Sequence, residues 1–195
     1  GAGGYPGKAH CNPAELLADE KKYDEALCDE RIVGLSVATR PDCINEEIVA
    51  LLVKLKAAYA PKFIWIELGL QTIHEQTALY IRRGYPLSCF IQTMEKLNRI
   101  SLPVIVHTIL GLPGETDAMI YETIRFLNTF SIFGIKLQLL HILRQTDLEK
   151  DYVNGLFSAL TQEHYVNLVI GCLERLSPET VIHRITGDGP KDLLI

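Results

Sequence analysis

Four long apolar runs separated by helical patterns constrain this chain more than any other feature. Ile32 to Ala38 (IVGLSVA), Phe63 to Leu70 (FIWIELGL), Pro103 to Leu110 (PVIVHTIL) and Gly134 to Leu143 (GIKLQLLHIL) are aliphatic, aromatic or β-branched at nearly every position rather than at every second one. That pattern predicts parallel strands covered on both faces. Between the runs lie helices. Asn45 is a candidate cap for Ile48, Leu51, Leu52 and Leu55, a series ended by Pro61; Ile91, Met94 and Leu97 follow Ser88; and Ile120, Ile124 and Leu127 follow Thr116. Strand and helix alternate, which implies βα units and a parallel sheet or barrel. Ala14 to Leu27 is also helical, and near the end Tyr165, Leu168, Val169, Cys172, Leu173 and Leu176 form an amphipathic helix stopped by Ser177-Pro178, followed by a strand-like Val181 to Ile185. Residues 1–12, with four glycines and no periodicity, read as a flexible or added terminus outside the fold.

Composition narrows the function. With 195 residues, of which 48% are hydrophobic, the chain has enough apolar material for one full core. Its formal net charge of -5 argues against a general polyanion binder, although a local basic groove is compatible with it. No apolar run reaches the ~18 residues of a membrane span, so a reducing cytoplasm is the expected compartment. Cys11, Cys28, Cys43, Cys89 and Cys172 are odd in number and at least 15 positions apart, which is not a disulfide framework and contains no CxxC.

In a parallel α/β fold the reactive groups sit where the chain leaves the C-terminal ends of the strands. The first exit is Thr39-Arg40-Pro41-Asp42, the second is Gln71-Thr72 just after Glu67, the third is Gly111-Leu112-Pro113-Gly114-Glu115-Thr116, and the fourth holds His141 and Arg144. Singly, each has an ordinary explanation. Arg40 and Asp42 make a surface ion pair around a turn proline, and the Gly-Leu-Pro-Gly turn punctuates strand and helix. His107 inside an apolar strand suits a satisfied core histidine as well as a ligand. Glu67 is less easily explained, because a carboxylate buried without a partner costs several kcal/mol. Together, two acids, several bases and a glycine-rich turn describe a mixed-charge pocket for a zwitterionic or nucleotide-like ligand. No GxGxxG, GxxxxGK[ST] or HExxH is present, so residue chemistry alone leads to an α/β ligand-binding domain of enzymatic type, its reaction class unspecified.

The motifs at these positions resemble those of the radical S-adenosylmethionine (SAM) superfamily. Glu67-Leu68-Gly69-Leu70-Gln71-Thr72, then Ile81-Arg82-Arg83-Gly84-Tyr85, then His107-Thr108-Ile109-Leu110-Gly111-Leu112-Pro113-Gly114-Glu115-Thr116 are similar to its fourth and fifth strand motifs. The nearest branch includes oxygen-independent coproporphyrinogen oxidase and the Elongator catalytic subunit. Gly34 to Cys43 and Arg184 to Pro190 resemble a bacterial group close to the latter.

The resemblance implies a partial (β/α)6 TIM-like barrel over residues 13–150, with strands three to six present and a helix-strand extension of the same domain over 151–195. It implies that Glu67, Gln71, Arg83 and His107 serve the cofactor, the last three at the ribose or the methionine carboxylate. Ile109 and Gly111 would border the adenine, Leu140 to Ile142 would offer it backbone groups, and Arg40 and His141 would face substrate. Implied partners are an electron donor such as flavodoxin or ferredoxin, and a tRNA base as substrate. The implied chemistry is cleavage of SAM at a 4Fe-4S cluster to a 5'-deoxyadenosyl radical.

One departure from the family is large. The cluster needs three thiolates from a CxxxCxxC loop, and the chain has none. The expectation is a C-terminal portion of a longer enzyme, inactive alone, with the first strand edge left for a neighbour to cover. The rival readings are a non-catalytic nucleotide-binding or assembly module, and a barrel aldolase or isomerase for which Lys136 and Glu67 are the only candidates.

Overall fold

The computed structural model describes residues 13–195, with side chains from residue 20 onward; the reading of residues 1–12 lies outside the described residues. The chain runs α1 (Pro13–Leu27), β1 (Gly34–Thr39), a short 3-10 turn (Pro41–Cys43), α2 (Glu46–Ala58), β2 (Phe63–Gln71), α3 (Glu75–Tyr80), α4 (Leu87–Arg99), β3 (Val104–Leu110), α5 (Asp117–Leu127), β4 (Gly134–Leu139), α6 (Asp147–Val153), α7 (Gln162–Leu173) and β5 (Val181–Arg184). The strands form one sheet in the order β1-β2-β3-β4-β5, every neighbouring pair parallel. Sequential order with helical crossovers is the arrangement of a barrel wall, and the open sheet is a partial barrel. Among the described residues β1 pairs with β2 alone, so its other edge is unpaired.

The caps sit where local chemistry places them. The Asn45 side chain accepts from the Ile48 amide at 2.9 Å, and the hydroxyls of Thr116 and Thr161 accept from Met119 and His164. Behind the sheet, Ile64, Ile66, Leu68 and Leu70 of β2 and Val104, Val106 and Leu110 of β3 meet Leu52 and Leu55 of α2, Phe90, Met94 and Leu97 of α4 and Ile124 of α5 in one core. α7 joins it through Leu168, Val169 and Cys172.

The two faces of the sheet differ, which corrects the expectation of strands covered on both. In β2 the even-numbered residues are buried under the helices, while Phe63, Trp65, Glu67, Gly69 and Gln71 stay partly open on the inner face. The inner-face residues are nevertheless largely apolar because they pack on one another: Phe63 stacks on Trp65 at 4.4 Å between ring centres, and Trp65 stacks on Phe133 at 5.6 Å. Self-packing of this kind gives the continuous apolar run without a second helix layer.

Two further differences have local causes. The fourth strand stops at Leu139 rather than Leu143, because Leu143 turns away to bridge antiparallel to Leu194 in the chain's last residues. The short helices α3 and α6 show too few turns for periodicity to reveal. The strand read at Val181 to Ile185 forms as β5, Val181–Arg184, and pairs parallel beside β4.

Phe90 is fully buried and meets Phe130 edge-on at 6.1 Å. Phe90→Ala is expected to cost about 3–5 kcal/mol, as large-to-small changes at closed sites do. Urea denaturation measures it, and a loss below about 1 kcal/mol contradicts this packing.

Candidate functional site

Glu67 occupies the middle of the inner face and bonds to every strand around it. Ser36 of β1 donates to Oε1 at 2.8 Å, Lys136 of β4 donates to Oε2 at 2.5 Å, and His107 Nε2 of β3 lies 2.9 Å from Oε2. The parallel register sets this up: Lys136 stands beside His107 and His107 beside Gly69, two residues beyond Glu67, so the three side chains project from one face with Glu67 one step below the other two. Burial alone raises the Glu67 carboxyl, but the Lys136, Ser36 and His107 bonds outweigh it and hold the group down at about 2. Burial pushes His107 below its ordinary value, with the carboxylate opposing and Lys136 and Arg184 assisting.

Toward the C-terminal ends of the strands the inner face becomes a ligand-sized hollow. A cavity of about 330 Å³ is lined by Ile109, Gln138, Leu139, Leu140, His141 and Asp188, near the lower limit for small-molecule sites. Gln138 lies 3.5 Å from His141 Nε2 and accepts from Arg184 at 3.2 Å. The Leu140 amide is already bonded to Leu110 and the Ile142 carbonyl to Ile195, whereas the Leu140 carbonyl and His141 amide have no backbone partner among the described residues. An apolar wall beside unpaired backbone groups suits an adenine ring.

The loop leaving β2 is held in an uncommon shape. Gln71 adopts φ of 67°, a left-handed conformation rare outside glycine, at a register irregularity between Gly69 and Gln71. Its side-chain Nε2 lies 3.0 Å from where a Gly69 Cβ would stand, so a side chain at position 69 would displace it. The surroundings that over-determine this turn centre on Arg83, whose side chain is only 1% exposed and donates to the carbonyls of Thr72 at 2.6 Å, Tyr85 at 2.9 Å and Leu70 at 3.3 Å. Tyr85 donates to the Gly69 carbonyl at 2.7 Å. Thr72 donates to Glu115, which ties this loop to the one leaving β3, and burial raises the Glu115 carboxyl.

The structure therefore brings Glu67, Gln71 and His107 to the inner face and lines the adjoining cavity with Ile109, Leu140 and His141. It does not bring Arg83 there: the guanidinium's donors go to carbonyls of the β2 exit and to Glu75. Arg40 forks onto Asp42 at 2.9 and 2.7 Å and lies over the Tyr85 ring at 5.3 Å, outside the cavity lining. Gly111 has φ of 84°, and the space beside its Cα is filled by Leu160, 2.8 Å from an ideal Cβ. Sequence reasoning missed Ser36 and Asp188, and it weighed Lys136 only as an aldolase lysine. Ser36 and Lys136 were detectable as polar residues breaking apolar strands; Asp188 carried no such signal, because a distant tail folds back to deliver it.

For a cluster the described residues are less suited. Cys28, Cys43, Cys89 and Cys172 are free thiols, and among the described residues no group of three metal-binding side chains occurs.

Comparison with known proteins identifies the family. The Radical SAM superfamily model matches residues 13–127 and the Radical_SAM C-terminal domain matches 132–195. The chain belongs to the radical SAM superfamily. It is 41% identical over 183 residues to YtqA of Bacillus subtilis, covering 94% of this chain and 55% of YtqA. It is 25% identical over 186 residues to the tRNA uridine(34) acetyltransferase of Methanocaldococcus jannaschii, covering 93% of this chain and 33% of that protein. The solved Methanocaldococcus infernus Elp3 with an N-terminal deletion superposes with a TM-score of 0.73 at 22% identity, covering 84% of this chain and 38% of Elp3. The chain thus spans about half the length of YtqA.

Folded Glu67 titrates near 2 against an ordinary 4.5, so its charged contacts stabilise the fold fully above pH about 4.5 and are lost as pH falls toward 2. The stability advantage of the wild type over Glu67→Gln is expected to shrink across that window by on the order of 3 kcal/mol, read by urea unfolding at each pH. A difference independent of pH contradicts the network.

Proposed function

We propose that the native protein is a radical SAM enzyme and that this chain supplies the wall of the barrel that holds SAM. The observation that carries this reading is the inner face itself, where Gln71 and His107 stand on the partly open face that continues through Ile109 into an apolar cavity, and where the Leu140 carbonyl and His141 amide have no backbone partner among the described residues. The donor set fits the molecule. Ribose hydroxyls suit the Gln71 amide and the His107 ring, adenine suits Ile109 and Leu139 with the free backbone groups, and the Gln138-His141 pair borders the side left for substrate.

The chemistry such a cofactor supplies, when cleaved by an electron from a 4Fe-4S cluster, is hydrogen abstraction by a 5'-deoxyadenosyl radical. The residues of this chain bind and orient. Arg83 fixes the β2 exit so that Gln71 keeps its left-handed turn, and Glu67 fixes His107. We assign to this chain alone no cleavage of SAM, since its cysteines lack the CxxxCxxC spacing and three thiolates would have to come from elsewhere in the native protein. We assign a tRNA base as substrate on the strength of the tRNA-acting relative. Flavodoxin or ferredoxin is the class of electron donor that fits, and the cytoplasm the compartment; among the described residues no helix is long and apolar enough to cross a membrane.

Two measurements test this reading. Calorimetry is expected to show saturable SAM binding, weakened about tenfold, or 1.4 kcal/mol, by Gln71→Ala. Anaerobic reconstitution of the full native protein with iron and sulfide is expected to give visible cluster absorbance and, with reductant, 5'-deoxyadenosine. Saturable binding without any cluster in the full protein favours the non-catalytic module instead, and no heat at all leaves only an assembly role.

A further inference from the structure

His107 is held from one side only. Its Nε2 lies against Glu67, its Nδ1 has no hydrogen bond among the described residues, and the side chain is 31% exposed. An ionised carboxylate can only accept, so the ring nitrogen facing it carries the hydrogen. Whether the other nitrogen also takes a proton depends on the charges that every neighbouring strand presents. Glu67 from β2 favours the imidazolium; Lys136 from β4 and Arg184 from β5 oppose it. Ser36 from β1 is uncharged and occupies the other Glu67 oxygen. Because the Lys136 ammonium shares Oε2 with His107, the carboxylate is compensated where it meets the ring.

We propose that Lys136 and Glu67 are positioning residues that hold His107 as a neutral imidazole with its hydrogen on Nε2, so that Nδ1 offers a lone pair and the ligand group it takes is a sugar hydroxyl rather than a carboxylate. This rests on the reading that the inner face binds SAM, which carries both groups. A nitrogen lone pair accepts from a hydroxyl and repels a carboxylate, whereas an imidazolium would attract the carboxylate strongly. Lys136 thus selects which end of the cofactor His107 meets without touching the cofactor.

The tautomer is directly observable. In the full native protein labelled with 15N-histidine, the His107 ring is expected to read as the Nε2–H form, with a titration midpoint below that of ordinary histidine. Lys136→Met is expected to raise that midpoint by about one pH unit, tenfold in acid constant, and Lys136→Arg to restore it. An Nδ1–H form in the wild type overturns the proposal, and so does an unmoved midpoint in folded Lys136→Met. The wild-type reading needs no variant, so misfolding of Lys136→Met cannot shelter it.

Adenosine and methionine, titrated separately by calorimetry, then test the ligand group. His107→Ala is expected to weaken adenosine about tenfold and to leave methionine unchanged; the reverse overturns the assignment. No heat from SAM, adenosine or methionine in the wild type removes the SAM reading and the sugar assignment together, while the tautomer remains decided by the spectra.

Discussion

The carboxylate of Glu67 is the constraint from which the rest of the inner face follows. A charged group in the middle of a sheet is costly unless it is paired, and here one carboxylate accepts from β1, β3 and β4 at once. Those bonds lash four adjacent strands together on the face that has no helix layer. They also sort the face into levels. Below Glu67, Phe63, Trp65 and Phe133 stack as an apolar floor; above it, the wall opens into the cavity lined by Ile109, Gln138 and His141. The network separates a packed base from a ligand-sized mouth.

The mouth depends on a second set of buried contacts. Arg83 looks in sequence like a residue meant for an anion, yet its guanidinium braces the β2 exit by donating to the carbonyls of Leu70, Thr72 and Tyr85. That allows Gln71 to hold a left-handed backbone at the edge of the site. Thr72 and Glu115 then couple this exit to the glycine-rich turn after β3, so the exits of two adjacent strands are joined by one hydrogen bond.

The fold was largely legible because its signals are local. Parallel strands announced themselves by apolar runs, and Asn45 and Thr116 by their capping side chains. The site was legible in part. Glu67 stood out because a lone acid in FIWIELGL demands partners, but which partners it finds depends on strand register, and register is not written in a single strand. The same limit explains Arg83 and Gly111. Both match the family motif, yet side-chain direction is set by loops whose shape comes from distant carbonyls in one case and from Leu160 in the other. Asp188 lies in the Arg184 to Pro190 motif, but its place at the cavity and the bridge from Leu143 to Leu194 were not legible, since they arise from the chain's end folding back.

The central claim is that the inner face above Glu67 is where the cofactor of this radical SAM family member lies. A crystal structure of the full native protein grown with SAM tests it most directly. The account predicts the ribose beside His107 and Gln71 and the adenine between Ile109 and the Leu140-His141 backbone. SAM bound away from this face, with the Glu67 network intact and the cavity empty, would contradict it.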